Sequence, residues 1–251
     1  WLSRGMTGAF LNALGILFGG LFGLTLRRPL PLSTQIFLRS LLGALTVFTS
    51  LYLVWLSIEG PFFSGLKTIS IAILAMAIGG RLGRLLGLQN MSNRLGRYAG
   101  NIIVPRSAGA PRRPGDGLRA CSLLFCTAPL GLVGAVADGV SGYFYLLLIK
   151  AIMDGLATLG SVKILGWTLA FSAFPVLLFL GSITLACRLY VVPFLGSHSL
   201  DRSDLINSVD AVAGLVACAV ALVIFEIRKV ELANYLPGLA VAPLLAWLFG
   251  H

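Results

Sequence analysis

The chain has few charged residues for its length. Asp, Glu, Lys and Arg make up 11% of its 251 residues, and only 9 of them are acidic. Hydrophobic residues make up 57%, and the mean hydropathy is +0.93. A soluble core of this size would leave too few polar residues to cover its surface. The composition therefore argues against a water-soluble globular protein.

Motifs for catalysis or metal binding are also missing. The four cysteines lie inside apolar segments, with no C-x-x-C pair and no flanking histidine, so they are expected to be packing residues. His198 and His251 have no ligands at metal spacing. The sequence contains no G-x-S-x-G, no Walker loop and no H-E-x-x-H. We therefore expect no enzyme activity and no cofactor.

The net charge of +10 does not indicate a nucleic-acid-binding protein. Such a protein concentrates basic residues on one water-exposed face, with aromatic positions for stacking. Here the basic residues are scattered between apolar segments. Membrane orientation explains the charge better, and nucleic acid is excluded as a partner.

Long apolar runs dominate the sequence. A helix of about 20 apolar residues crosses the hydrocarbon layer, which predicts about eight transmembrane helices in an all-α, polytopic membrane bundle. They are expected at 7–26, 36–57, 66–86, 118–137, two within 143–192 folded back near Gly160, Ser161 and Lys163, 208–227 and 232–249. The whole chain, 1–251, forms a single integral membrane domain. Residues 87–117 are rich in Gly, Pro, Asn and Arg and are predicted to form a flexible basic loop.

The distribution of Lys and Arg predicts an orientation. These residues favour the cytoplasmic side of short loops. Placing the N terminus outside puts 14 of the 19 Lys and Arg residues on the inner side of the membrane. With an even number of helices, both termini then lie outside and the 87–117 loop is cytoplasmic. The first run follows Arg4 like a signal peptide, but Arg27 and Arg28 follow it without a cleavage pattern, so it is expected to remain as a helix. The chain opens at Trp1, so either residues precede it or translation starts at Met6.

An internal repeat is the next expectation. Leu42-Gly43-Ala44-Leu45 in predicted helix 2 is similar to Ala213-Gly214-Leu215-Val216 in predicted helix 7. The first and sixth helices would enter from opposite sides, so helices 1–3 and 6–8 would form an inverted repeat. Inverted repeats are typical of secondary transporters, whose sites lie near the midplane.

Charged residues inside the apolar runs are the main functional lead. Lys150 and Asp154 are four residues apart and share a helix face, although a centred charge costs about 2.5–3.5 kcal/mol. One interpretation is an ion- or proton-linked pair that lines a pathway, with Asp154 as the binding group. The other is a self-neutralised pair near the outer interface, with Lys150 reaching water.

Further polar residues lie in predicted helices 1 and 6. Asn12 lies among Gly8, Gly15, Gly19 and Gly23, where it either joins a site or bonds to a neighbouring helix. Ser172, Ser182 and Thr184, with Pro175 and Gly181, either form a breakable polar track or stabilise a simple kink. Asp138, Asp210 and Glu226 are expected at helix ends, in contact with water.

Several strings resemble the YqgA-like family of bacterial inner-membrane proteins, catalogued as domain of unknown function 554. They are Thr7 to Leu14, Cys121 to Cys126, Asp138-Gly139, Lys150 to Gly155, Phe171 to Pro175, Gly181 to Thr184 and Asn234 to Pro237. The resemblance implies the bacterial inner membrane, a start near Met6, and a loose association with biofilm behaviour. It also implies glutamines at positions 137 and 180, where this chain has Ala137 and Leu180.

These observations favour a secondary transporter or channel for a small ion or compact solute. Its expected site combines six residues from predicted helices 1, 5 and 6. These residues are Asn12, Lys150, Asp154, Ser172, Ser182 and Thr184. The expected partners are the lipid bilayer and that ion or solute, and a homo-oligomer is left open. The alternative is a membrane scaffold or regulator that acts through a partner at the 87–117 loop.

Overall fold

The computed structural model describes residues 6–26, 30–58, 60–103, 115–193 and 202–249. These residues form helices and connecting turns without a strand, as the sequence predicts. The helices are α1 (Thr7–Thr25), α2 (Leu32–Leu56), α3 (Phe62–Leu85), α4 (Leu88–Ile103), α5 (Asp116–Thr127), α6 (Pro129–Val140), α7 (Tyr145–Leu165), α8 (Ala173–Ala186), α9 (Arg202–Ile224) and α10 (Gly238–Phe249). Outside the described residues lie Arg4, Arg27, Arg28, Glu59, Arg106, Arg112, Arg113, His198 and His251.

The spanning segments match the predicted number. Seven helical segments of the described ranges are long and apolar enough to cross a bilayer, and the number is eight if the bent pair α5–α6 counts as one span. Large apolar side chains such as Phe18, Phe48 and Phe63 are exposed on the outside of the bundle. An outward-facing apolar surface of this kind suits lipid rather than water. The all-α, polytopic membrane fold is therefore confirmed.

The fourth predicted helix is not one straight segment. Residues 116–140 form α5 and α6, whose axes differ by 59°. Ala128 has an extended backbone and Pro129 is the first residue of α6. Proline has no N–H and disfavours a helical residue before it, so the break falls where Pro129 occurs. Gly131 donates to the Ala128 carbonyl at 2.9 Å and starts the second half.

The prediction of a flexible loop over 87–117 is wrong for its first half. Residues Leu88–Ile103 form α4, which packs along α5. Ala99 is buried on the inner face, whereas Arg94, Arg97 and Tyr98 are exposed. The amphipathic spacing was hidden by the polar composition of this segment. Residues 104–114 lie outside the described residues.

The turn between the fifth and sixth predicted helices is also displaced. Helix α7 continues through Gly160, Ser161 and Lys163 and ends at Leu165. Gly166 makes the turn with φ of +89°, a conformation that glycine adopts without a Cβ clash. A 3₁₀ segment, Trp167–Ser172, then leads into α8.

The inverted repeat remains a prediction. Helix α9 packs against α2, α3 and α10. Predicted helices 7 and 8 are α9 and α10, so a matching repeat would give α2 and α3 a contact as extensive as that between α9 and α10. The described residues form no such contact between α2 and α3.

The pairing of α1 with α7 is the most extensive helix contact, and it positions the candidate site. Gly15 and Gly19 face Ala151 and Gly155 so closely that a Cβ on either α1 glycine would collide with an α7 carbonyl group. The close approach predicted from the α1 glycines is therefore confirmed. It places Asn12, one turn before Gly15, against the charged face of α7.

Candidate functional site

Lys150 and Asp154 form an ion pair inside the bundle. The Lys150 Nζ donates to the Asp154 Oδ2, and the two side chains are 2% and 10% exposed. Asp154 is the tenth of the 21 residues of α7, near the middle of a spanning helix. The predicted pairing is therefore confirmed, whereas the alternative in which Lys150 reaches water is wrong.

The broken helix contacts the lysine of this pair. The Lys150 Nζ lies 5.7 Å from the centroid of the Phe125 ring, in the last turn of α5. A Cβ on Gly131, in the first turn of α6, would lie 2.5 Å from the Lys150 Cε. The lysine stem therefore rests on both half-helices at their junction. A helix that ends inside a bundle leaves carbonyls without i+4 partners, and these can attract a cation.

Asn12 completes the site from α1. Its side chain is fully buried and lies beside the Asp154 carboxylate, but without the geometry of a hydrogen bond. Neither Asn12 Oδ1 nor Asn12 Nδ2 has a hydrogen-bond partner among the described residues. The Asn12 amide therefore meets the Asp154 carboxylate on the neighbouring helix, as expected, although neither of its polar atoms is in full hydrogen-bond geometry. A buried amide without partners costs about 1–3 kcal/mol, so its retention next to a carboxylate is informative.

The backbone of α7 is also engaged next to the pair. The Thr158 Oγ1 donates to the Asp154 carbonyl at 2.7 Å and is buried. Gly155, the next residue, has the Gly15 carbonyl against it. The Thr158 bond lies within α7, and the contact of Gly155 with Gly15 holds this part of α7 against α1.

The predicted polar track of Ser172, Ser182 and Thr184 does not form. Helix α8 is continuous past Gly181, and Pro175 lies in its first turn, where no helical hydrogen bond is lost. Ser182 is exposed on the outside and donates to the Phe179 carbonyl at 2.8 Å. It belongs to the lipid-facing surface.

Thr184 and Ser172 are buried but separate from the ion pair. The Thr184 Oγ1 donates to the Ala135 carbonyl at 3.1 Å and so joins α8 to α6. The Ser172 Oγ, at the end of the 3₁₀ segment, has no partner within the described ranges. Among the six site residues predicted from the sequence, the structure brings together Asn12, Lys150 and Asp154.

Two carboxylates predicted to meet water are buried instead. Asp138 is fully buried, and its Oδ2 accepts from the Gly8 N–H at 3.1 Å, which caps the first turn of α1. Asp210 is 5% exposed and lies near Ser141, at the end of α6. Glu226 is exposed, as predicted, and forms an ion pair with Arg39. The periodic sequence around Asp138 and Asp210 does not reveal which neighbour covers them.

Sequence reasoning missed Phe125 and Gly131, which contact Lys150 from the broken helix. Pro129 in the middle of a predicted span was the signal that could have identified this junction. Position 180, where the family resemblance implies glutamine, lies close by. Leu180 there is fully buried, and its side chain would meet a Cβ placed on Gly131 at 3.4 Å.

Two cavities lie near this region, and one of them lies where α1 and α7 end and α2 begins. A cavity of about 540 Å³ between α4 and the junction is lined by Asn93, Arg97, Thr127 and Pro129, among others. A second cavity, of about 770 Å³, lies between α1, α2 and α7 and is lined by Met153, on the turn of α7 that carries Asp154. The ion pair itself lines neither cavity.

The comparison with known families agrees with this architecture. Residues 7–247 match the family described as "Protein of unknown function (DUF554)". The chain belongs to this family. The resemblance inferred from the sequence strings is therefore confirmed, and the match includes every element of the candidate site.

Two relatives in the family are similar along much of their length. The "Uncharacterized membrane protein YdfK" of Bacillus subtilis (strain 168) is 27% identical over 177 residues, which are 70% of this chain and 69% of the relative. The "Uncharacterized protein YqgA" of Escherichia coli (strain K12) is 26% identical over 236 residues, 94% of each chain. No solved structure matches the chain. With the spanning helices, the relationship to YdfK supports a multi-pass membrane location.

Proposed function

We propose that this protein is a secondary transporter or channel for a small ion or compact solute, and that Asp154 binds it. The observation that carries the proposal is the fully buried amide of Asn12, which meets the buried Asp154 carboxylate with neither of its polar atoms in full hydrogen-bond geometry. A dry structural contact would satisfy both amide atoms, because burying them without partners is costly. A small polar ligand that contacts both Asn12 and Asp154 would satisfy them.

The position of the ion pair supports the same conclusion. Charged groups within spanning helices normally pair with one another or face a route for ions. Lys150 and Asp154 do the first, and Lys150 contacts both halves of the broken helix α5–α6. Broken helices of this kind form the ion sites of many transporters. The cavity between α4 and Thr127 supports access to this junction from one side of the membrane.

The chemistry of binding follows from the charges. In the observed state Lys150 neutralises Asp154, so the site carries no net charge. A cation or proton that binds Asp154 would release Lys150 toward the Phe125 ring, which offers it a π face. Alternation between these two pairings would couple ligand binding to a movement of the lysine at the junction. The small polar set suits an inorganic cation or a compact solute better than a bulky organic molecule.

The test is a flux assay on purified protein in liposomes. Vesicles that contain a pH-sensitive or cation-sensitive dye would be challenged in turn with proton, Na⁺, K⁺ and Mg²⁺ gradients. We expect flux with the wild type and none with Asp154→Asn. Asp204→Asn is the matched control, because Asp204 is an exposed carboxylate on α9. Flux through Asp154→Asn equal to that of the wild type would contradict the proposal.

The second candidate function is the non-transporting scaffold or regulator. It is favoured by the exposed face of α4, which presents Met91, Arg94, Arg97 and Tyr98 outward. A basic amphipathic helix of this type can lie on a membrane or contact a partner. If the protein is a scaffold or regulator, removing residues 88–114 should abolish binding of the partner. Neither the wild type nor any variant should then show ion flux. Retained ion flux in the shortened protein would instead favour the transporter.

A further inference from the structure

A third cavity lies away from the ion pair, between α3, α9 and the 3₁₀ segment Leu232–Tyr235 that precedes α10. Its volume is about 500 Å³. Three cations line it, which are Arg84 at the end of α3 and Arg228 and Lys229 after the end of α9. Arg84 and the adjacent pair Arg228-Lys229 come from two separate parts of the chain, which the packing of α3 against α9 and α10 brings together.

None of these three cations forms an ion pair with a carboxylate within the described ranges. The Arg84 Nε donates to the Gly80 carbonyl at 3.2 Å, which fixes the guanidinium on its own helix and leaves the terminal amino groups for a ligand. The carboxylate that also lines the cavity, Glu231, accepts from the Asn234 Nδ2 at 2.8 Å. The cavity therefore keeps an excess of positive charge.

The opposite end of the cavity is apolar. Met76 lies two turns before Arg84 on α3, and Ala219 and Leu222 lie in the last turns of α9. The cations are thus at the helix ends, and the apolar lining is toward the centre of the spans. A soluble anion would use only the charged end, whereas a phospholipid would use both ends.

We propose that this cavity binds the phosphate of an anionic phospholipid, with an acyl chain along Met76, Ala219 and Leu222. Basic pockets between transmembrane helices suit such headgroups. Arginine can contact a phosphate through two parallel hydrogen bonds, and Arg84 and Arg228 both line the cavity. The preference of basic residues for the cytoplasmic side does not require cations from two separate segments to line one cavity. The proposal is independent of the transport function.

The test is lipid retention by the full-length protein, purified in a non-ionic detergent and measured by native mass spectrometry. The lipids are phosphatidylglycerol, cardiolipin and phosphatidylcholine, and inorganic phosphate is measured separately. The variant Arg84→Gln/Arg228→Gln/Lys229→Gln removes the cavity charges. The matched control, Arg81→Gln/Arg94→Gln/Arg119→Gln, removes three exposed cations that do not line the cavity.

We expect selective retention of the two anionic lipids. Loss of three Lys or Arg contacts should weaken that retention on the order of 100-fold. The control triple should keep the selectivity. Lys229→Glu, a single change at an exposed position, should shift retention in the same direction if the triple variant cannot be purified.

The variant Ala219→Phe distinguishes binding of a lipid from binding of a free anion. Filling the apolar end should reduce retention of phosphatidylglycerol and leave the response to inorganic phosphate unchanged. Binding of inorganic phosphate without lipid retention would overturn the lipid assignment. Equal losses in the cavity triple and the control triple, or equal retention of phosphatidylcholine, would overturn the site itself.

Discussion

Gly155 on α7 lies directly against the backbone of Gly15 on α1, and a Cβ on Gly155 would lie 2.7 Å from the Gly15 carbonyl oxygen. This contact joins the two helices that carry the candidate site. Asp154 precedes Gly155, and Asn12 lies one turn before Gly15. The distance between the carboxylate and the amide therefore depends on the absence of a side chain at position 155.

The first prediction concerns that contact. Gly155→Ala should lower the stability of the folded protein by about 1–3 kcal/mol, because α1 and α7 must separate to admit a methyl group. The control is Gly160→Ala on the same helix, where a Cβ meets no atom within 4 Å. That change should be neutral or stabilising by about 0.5–1 kcal/mol, since alanine favours the helix. Thermal unfolding in detergent measures both, and equal shifts would contradict the packing argument.

The second prediction separates the charge of the ion pair from its volume. Lys150→Met or Asp154→Leu alone should destabilise the protein by about 3–5 kcal/mol, because each leaves one buried charge without its partner. The double variant Lys150→Met/Asp154→Leu should recover most of that loss, since buried pairs are replaceable by apolar residues of similar size. Under the proposed function, the double variant folds but carries no flux. Flux in a stable double variant would show that the pair is only structural.

The third prediction concerns Asn12. Neither polar atom of its amide is in full hydrogen-bond geometry, so Asn12→Leu should change stability by less than about 1 kcal/mol. The same change should abolish flux, because the ligand loses its contact beside Asp154. Thr184→Val is the opposite control, as it removes the bond to the Ala135 carbonyl and should cost about 0.6 kcal/mol while flux continues. Unfolding and liposome flux, measured on both variants, distinguish a ligand-binding residue from a structural one.

The fourth prediction concerns the attachment of α4. The Gln89 N–H donates to the Asn234 Oδ1 at 3.2 Å, and the Gln89 Oε1 accepts from the Ala233 N–H at 3.1 Å. Gln89→Leu removes the second bond and should increase amide hydrogen exchange along α4, because local opening becomes easier. Exchange in α1 and α7 should stay unchanged. Asn93→Leu serves as the control, since its bond to Gln89 lies on the exposed surface of α4.

Hydropathy and helix-breaking residues predicted much of the fold correctly. Apolar runs of sufficient length must form helices in lipid, because backbone groups find no water there, so the number and order of the spans follow from composition. The bond between Lys150 and Asp154 was predictable for a similar reason, since residues four apart share one helix face. The glycines of α1 also indicated a close helix contact before its partner was known.

Longer-range contacts were not predictable in this way. Asn12 meets Asp154 across 142 positions of the sequence, and Phe125 reaches Lys150 from a helix that breaks at Pro129. Ser182 fits the apolar sequence of α8 as well as Thr184 does, but the first is exposed and the second buried. Which face of an apolar helix turns inward depends on the surfaces of its neighbours, because lipid and a protein interior are similarly apolar.

The sequence by itself thus determined that this chain is a helical membrane protein with a charged pair in one span. The tertiary structure decided that the pair is buried and that a broken helix and the Asn12 amide lie next to it. It also decided that Ser182 lies away from the pair, on the outer surface. The physical reason is that local spacing fixes contacts within one helix, whereas contacts between helices depend on close packing of many side chains at once.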